Sequence, residues 1–200
     1  MRRTNRTSRP EREALRDILL SAAVVGVLAT PALAIEVQEF TDKAAWEAAV
    51  GEFTTITFTE LPENTWVTDQ YADLGVLFTG DSDSIRHGSW FQNDGVGLDG
   101  NLEIRLEFDV PHRWIAADFP GLVDYKLYRD GEFLYRSDEF GSGAIFSFGG
   151  IISSEPFDMV IIDDPVDSAP FLDDLHFGIP TPGAMPLLLF PLLTPRRRRR

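Results

Sequence analysis

Apolar and polar residues alternate with a period of two along much of the chain after residue 54. The clearest run is 102–110, LEIRLEFDV, in which apolar side chains occupy one face and charged side chains the other. This alternation is typical of antiparallel strands that bury one face. Further strands are predicted at 55–59, 75–79, 113–119, 144–148, 157–163 and 171–177.

One pair of predicted strands is joined by a two-residue turn. Segments 123–129 and 132–136 flank Asp130 and Gly131. An Asp-Gly pair favours positive φ at both central positions, which is the geometry of a tight β-hairpin. With this hairpin the chain has eight or nine short strands separated by turn residues, a pattern that predicts an all-β fold, an antiparallel two-sheet β-sandwich.

A single helix is predicted before the strands, at 40–51, FTDKAAWEAAVG. Thr41 or Asp42 can cap its N-terminus, and Gly51 can end it with a positive φ. Trp46 lies on the apolar face of this helix, so we expect it to anchor the core and not to contact a ligand.

Residues 1–34 have the organisation of a signal peptide. A basic segment precedes the apolar run 18–29, and Ala32 and Ala34 form a small-x-small cleavage site. The apolar run is too short to span a bilayer comfortably, which favours a cleaved signal over an anchor. The sequence therefore predicts export and a mature chain that begins at Ile35.

Residues 179–200 form a second targeting segment. A proline-rich linker is followed by the apolar run 185–193 and by five terminal arginines. A basic cluster after an apolar run stays on the cytoplasmic side, so residues 35–178, the predicted ectodomain, would face outward.

The tail resembles a PEP-CTERM sorting signal. The residues that carry the resemblance are Pro180, Thr181, Pro182 and Gly183, with the apolar run and arginines after them; Thr181 stands where the family has glutamate. The resemblance implies recognition by an exosortase-type enzyme, a transient association with the inner membrane, and removal of the tail. It also implies delivery to the cell surface or the extracellular matrix of a biofilm.

The predicted ectodomain also resembles uncharacterised PEP-CTERM ectodomains. Three blocks carry this resemblance: Ala45-Trp46 followed by 55–58, TITF; 67–78, VTDQYADLGVLF; and 171–177, FLDDLHF. They imply a jelly-roll-like sandwich, similar in architecture to many carbohydrate-binding modules. A fold of this kind implies no particular ligand.

The charge of the chain is concentrated in the predicted ectodomain. Residues 35–179 hold 29 acidic and 7 basic residues, a net charge of −22. Such a domain repels nucleic acid and anionic membrane surfaces and attracts divalent cations, although solubility alone can also explain the charge. The chain has no cysteine, which excludes thiol catalysis and cysteine-ligated metals.

Two acidic, glycine-containing segments, 80–84 and 93–101, suggest a structural Ca²⁺ site. Their candidate ligands are Asp81, Asp83, Asp94 and Asp99. Ca²⁺ takes six to eight oxygen ligands, including backbone carbonyls. Ordinary turn chemistry is the alternative explanation, because Asp, Asn, Ser and Gly are favoured in turns without any ion.

Two aromatic residues are candidates for sugar contact. Trp90 lies beside a polar loop, and Tyr128 breaks the alternation of its strand. An exposed aromatic ring covers the C–H side of a sugar, and extracellular polysaccharide would be the natural partner. Core packing is the alternative role for both residues.

Catalytic motifs are absent from the sequence, which lacks Gly-x-Ser-x-Gly, His-Glu-x-x-His and a phosphate loop. The doublets Asp163-Asp164 and Asp173-Asp174 suggest a glycosidase, which needs two carboxylates across one sugar. Adjacent strand residues face opposite sides, so only one acid of each doublet could line a shared cleft. The sequence thus favours a non-catalytic surface or matrix protein, with a carbohydrate-binding module as the alternative and a secreted hydrolase as the third hypothesis.

Overall fold

The computed structural model describes residues 35–92, 94–142, 146–166 and 169–178. The predicted signal cleavage site and sorting motif lie outside these residues; they are Ala32, Ala34, Pro180, Thr181, Pro182 and Gly183. Within the described ranges no helix is long and apolar enough to cross a membrane.

The described chain forms one α-helix, a short 3₁₀ turn and twelve strands. In chain order they are β1 (Val37–Phe40), α1 (Lys43–Val50), β2 (Thr54–Ile56), the 3₁₀ turn (Ala72–Leu74), β3 (Val76–Phe78), β4 (Ser84–His87), β5 (Val96–Asp99), β6 (Glu103–Phe119), β7 (Leu122–Arg129), β8 (Glu132–Arg136), β9 (Phe140–Gly141), β10 (Ser147–Asp163), β11 (Phe171–Leu172) and β12 (Asp174–Gly178).

These strands form two antiparallel sheets. The larger has nine strands, in the order β2-β12-β6-β10-β7-β8, with β1 beside β10, β3 beside β6 and β9 beside β7. The smaller has three strands, in the order β11-β5-β4. The predicted all-β sandwich is therefore confirmed, with strands that the sequence did not predict at β1, β4, β5 and β9.

The long strands β6 and β10 change the side that faces the main core. The core residues of β6 are even-numbered in its first half and odd-numbered in its second: Ile104, Leu106, Phe108, Ile115, Ala117 and Phe119. Opposite this change, the pairing with β10 is irregular between Ile152 and Met159. A bulge lets a strand exchange its inward face without ending. For this reason the two strands predicted at 102–110 and 113–119 are one continuous strand.

Helix α1 is confirmed, and it covers the opposite face of the large sheet. The Asp42 carboxylate caps its N-terminus by accepting from the Ala45 amide at 2.7 Å, and Gly51 ends it with φ 81°. Trp46 is completely buried in a second, smaller cluster with Trp114 and Phe148. The prediction that Trp46 is a core residue is also confirmed.

The predicted hairpin is confirmed as well. β7 and β8 are joined by Asp130 and Gly131, whose φ angles are 51° and 80°. Positive φ at both positions matches the two-residue turn that an Asp-Gly pair favours.

Candidate functional site

Trp90 is presented by the loop between β4 and β5. The Gly88 amide donates to the Gly95 carbonyl at 2.9 Å, and the Phe91 amide donates to the Gly88 carbonyl at 3.2 Å. The indole of Trp90 packs directly on Gly88, where an added Cβ would come within 2.4 Å of the ring. Residue 88 must therefore lack a side chain for the indole to lie in this position.

The same loop is anchored on its inner side. Phe91 is buried and makes an edge contact with Phe171, with 6.1 Å between the ring centroids. The Gln92 amide donates to the Asp173 carboxylate at 2.5 Å. Asp173 thus positions the loop that carries Trp90.

Trp90 lines a cleft with a volume of about 360 Å³, here named the Trp90 groove. The other residues that line it are Pro120, Gly121, Asp164, Ala169 and Phe171. The Trp90 side chain remains 45% exposed, and the Asp164 carboxylate also accepts from the Val166 amide at 2.8 Å. The groove combines aromatic surface with a carboxylate, at the small end of the size range of ligand pockets.

Tyr128, the second aromatic candidate, lies on the β7–β8 hairpin. Its ring packs edge-on against Phe133 across the hairpin, at 5.6 Å between centroids, and the side chain is half-buried. Tyr128 is not among the described residues that line the Trp90 groove. The structure therefore does not bring the two aromatic candidates together in that groove.

A buried polar cluster lies where β12 pairs with β6, next to the start of α1. One oxygen of Asp118 accepts from Lys43 Nζ at 2.5 Å and from His176 Nε2 at 3.0 Å. His176 Nδ1 lies 2.9 Å from the Thr55 hydroxyl. An ionised carboxylate can only accept, so Nε2 carries a hydrogen; in a neutral imidazole Nδ1 then accepts from the Thr55 hydroxyl.

The two carboxylates of this cluster differ in proton affinity. Burial acts to raise the pKa of Asp118, but hydrogen bonds from His176 and Lys43 hold it below its ordinary value. Burial, followed by the charges of Asp173 and Asp118, raises the pKa of Asp174 to about 6. Opposite shifts in neighbouring carboxylates are a feature of acid–base sites, although structural ion pairs produce them too.

This cluster is also a candidate metal site. The ligand atoms of Asp118, Asp174 and His176 lie within 4.8 Å of one another. One oxygen of Asp118 already accepts from an ammonium and an imidazole. Lys43 therefore supplies a positive charge beside this carboxylate. We interpret this cluster as the polar contact that fixes the start of α1 on the large sheet.

The acidic segments converge on one buried carboxylate, that of Asp83 at the start of β4. Its side chain is 1% exposed, and neither of its oxygens has a hydrogen-bond partner among the residues that the structure describes. Burial, followed by the charges of Asp99, Glu103 and Asp81, raises its pKa to about 7. Of the four acids proposed as Ca²⁺ ligands from the sequence, Asp81 and Asp99 therefore help to raise the pKa of a third, Asp83.

Asp94, the fourth candidate ligand, is exposed in the turn before β5 and is not among the charges that act on Asp83. Glu103 takes part in its place. Sequence reasoning missed Glu103 because it begins an alternating strand, where a charged residue indicates a solvated face. Glu103 could have been identified from its position, because it follows Asp99 by four residues and begins the next strand.

The aspartate doublets are divided among different environments. Asp163 pairs with Lys126 at 2.7 Å, whereas Asp164 lines the Trp90 groove. Asp173 holds the Gln92 amide, and Asp174 lies in the cluster around Asp118. Of these four acids, only Asp164 is among the described residues that line the groove.

No family model and no curated protein matches this sequence. Two solved structures match this chain weakly, both of CBM51-2 and INT domains from Clostridium perfringens ZmpB, one of them in complex with GlcNAc. They share 12% sequence identity with this chain, with TM-scores of 0.33 and 0.32. The similarity covers 72% of this chain, which spans 40% of the length of each of those chains.

Proposed function

We propose that this protein is a non-catalytic, exported glycan-binding protein whose ligand site is the Trp90 groove. The observation that carries the proposal is the indole of Trp90. It packs against Gly88, remains 45% exposed, and lines the same cleft as Asp164.

The chemistry of the groove suits a sugar. A flat aromatic ring covers the apolar C–H side of a pyranose, while a carboxylate accepts from its hydroxyl groups. Because Gly88 and Asp173 already hold the ring and its loop, little conformational entropy is lost on binding. The groove therefore favours binding without requiring a catalytic pair of acids.

The charge of the domain selects the class of glycan. Residues 35–179 carry a net charge of −22, and Asp164 adds a negative charge inside the groove. This field repels acidic polysaccharides and sulfated glycans, and it favours neutral or amino sugars. The proposed partner is accordingly a neutral or amino-sugar polysaccharide of the cell surface or matrix.

In this proposal the two targeting segments determine where the protein is delivered. The signal peptide would direct export, and the tail would make the protein a substrate of an exosortase-type enzyme. The acidic domain would then be released at the surface or into the matrix, where extracellular polysaccharide is its ligand.

The proposal is tested by glycan binding of the full-length protein on an array of neutral, amino and acidic glycans. Binding constants for the glycans that respond would follow from calorimetry. We expect Trp90→Ala to weaken binding by at least about tenfold, or ~1.4 kcal/mol. Trp90→Phe keeps an aromatic face and should lose less glycan affinity than Trp90→Ala. Trp66→Ala is the matched control, because Trp66 is 67% exposed and is not among the described residues that line the groove.

Two results would contradict the proposal. One is an array on which no neutral or amino glycan binds the wild-type protein. The other is a wild-type signal that Trp66→Ala reduces as much as Trp90→Ala does. Tryptophan fluorescence offers a second readout, since a ligand-induced change should disappear in Trp90→Phe and persist in Trp66→Ala.

A further inference from the structure

One part of the large sheet is covered on its outer side by the helix, and another part is not. Helix α1 covers the part where Trp114 of β6 and Phe148 of β10 pack with Trp46. The part formed by residues 103–107 of β6 and 159–163 of β10 continues into β3, β7 and β8. No residue of the α1 cluster lies there. The outward side of this second part, here named the outer face, is therefore free of α1 in the described structure.

The strand register places a row of mostly apolar side chains across the outer face. The row passes through five strands, and neighbours along it are direct strand partners. Its members, in order, are Phe133, Tyr128, Met159, Glu107 and Leu77. The residues next to them in the chain belong to the main core or pack against it, so the row itself points outward. At about 4.8 Å between strands, the row is about 19 Å long.

Two rows of charged side chains lie beside the apolar row. Three ion pairs join them: Arg136 with Asp124 at 2.5 Å, Lys126 with Asp163 at 2.7 Å, and Arg105 with Glu103 at 2.9 Å. Three of the seven basic residues of the segment 35–179 therefore lie on this face. Together with Glu107 these side chains carry a net charge of 3 − 4 = −1, compared with −22 for the whole segment.

The size and the charge of the outer face decide which partner fits it. Along β7, from Asp124 to Tyr128, it extends for about 14 Å, which gives an area of roughly 270 Å². Each partner of a specific protein interface buries about 800 Å², so the face is too small for a second copy of this chain, which also carries the same repelling charge. An anionic polymer is repelled as well, and a cationic partner meets acids that are already paired. A neutral, narrow and extended partner remains.

We propose that the outer face binds a single extended chain of a neutral polysaccharide, along the row from Phe133 to Leu77. The aromatic rings would cover the C–H sides of the sugar rings. A lysine has three donors and an arginine five, so the ion pairs leave donors for the sugar hydroxyl groups. None of the five residues of the row lines the Trp90 groove. The inference thus shares a class of ligand with the proposed function, but it concerns a separate site.

The test measures binding of full-length Trp90→Ala, in which the groove is disabled, to barley β-glucan, glucomannan, dextran and their oligosaccharides by calorimetry. We expect affinity to rise with chain length until the chain spans the row. Adding Phe133→Ala should weaken polysaccharide binding at least about fivefold, because an exposed aromatic surface is lost. Phe146→Ala is the matched control, since Phe146 is 50% exposed, Phe133 is 58% exposed, and only Phe133 lies in the row. Circular dichroism checks that each variant is folded.

The proposal is overturned if Trp90→Ala binds none of these polysaccharides, or if Phe133→Ala and Phe146→Ala weaken binding equally. It is also overturned if alginate, an acidic polysaccharide, binds as tightly as the neutral ones. Sedimentation of the wild-type protein tests the second copy as occupant, and a dimer that Phe133→Ala dissociates would replace the polysaccharide.

Failure of this proposal and failure of the proposed function are distinguishable. Short oligosaccharides that bind the wild type but not Trp90→Ala support the groove, whatever happens at the outer face. Long chains that bind Trp90→Ala and are lost with Phe133→Ala support the outer face, even where no short oligosaccharide binds the wild type.

Discussion

At the scale of single residues, three buried aspartates show how differently one side chain can be accommodated. Asp118 accepts from a lysine and a histidine, and Asp173 accepts from a backbone amide. Asp83 has neither kind of partner within the described part of the chain. A carboxylate with donors stays ionised when buried, whereas one without donors takes up a proton or a cation.

The stability of the metal-free protein should therefore fall as the pH rises from about 4 to 7. The folded pKa of Asp83, about 7, lies above its ordinary value of 3.8, so the folded state holds more protons in this window. A difference of about three pKa units corresponds to roughly 4 kcal/mol. The loss is complete above pH 7 and absent below pH 4, where both states are protonated.

Urea unfolding in EDTA at pH 5 and pH 8 measures this effect. Asp83→Asn should be less sensitive to pH than the wild type, and more stable than it at pH 8. Asp174, whose pKa is raised to about 6, adds a slope of the same sign to both proteins. The comparison thus isolates Asp83, and equal pH dependence in the two proteins would show that its ionisation is not linked to folding.

At the scale of elements, the contact between α1 and the large sheet depends on a glycine of β10. A Cβ at Gly150 would lie 2.5 Å from Cδ1 of Trp46, which is completely buried. Gly150→Ala should therefore overpack this contact and lower the free energy of unfolding by about 1–3 kcal/mol.

A double-mutant cycle checks the cause of this loss. In the Trp46→Leu background the smaller side chain leaves space for a methyl group, so Gly150→Ala should cost less than it does in the wild type. Chemical denaturation of the four proteins gives the coupling energy. Additive effects would show that the glycine matters for another reason, such as its own backbone conformation.

Strand β5 shows why some elements escape prediction. Its glycine, Gly97, lets the Phe91 ring and the Leu172 carbonyl approach, and a Cβ there would lie 2.2 and 2.3 Å from them. Glycine within a strand often marks such a close approach, yet along the sequence it indicates a loop. For this reason the sequence predicts no strand within the segment 93–101, although Val96–Asp99 is a strand.

At the scale of the whole molecule, the two ends of the chain carry charge opposite to that of the domain between them. We expect protein recovered from cell-surface and culture-supernatant fractions to begin at Ile35, end near Pro182 and lack the five terminal arginines. Intact-mass and peptide mass spectrometry of both termini measures this. A recovered chain that retains Arg196–Arg200 would contradict removal of the tail, and the surface-matrix location would lose its main support.

The sequence by itself determined the fold class, the hairpin and the helix. These depend on local rules: side chains of a strand alternate between faces, Asp-Gly adopts positive φ, and Asp42 caps the helix it precedes. It also singled out Trp90 and three of the acids whose charges meet at Asp83. No local rule, however, distinguishes an aspartate that anchors a loop from one that is buried without a described donor.

Only the tertiary structure decided the environment of each of these residues. Lys43 and Asp118 are 75 residues apart in the chain, and Gln92 and Asp173 are 81 apart. Trp90 likewise lines a cleft with Phe171 and Pro120, which lie on distant segments. The strength of a carboxylate's interactions depends on burial and on neighbouring charges, and folding brings those neighbours from separate parts of the chain.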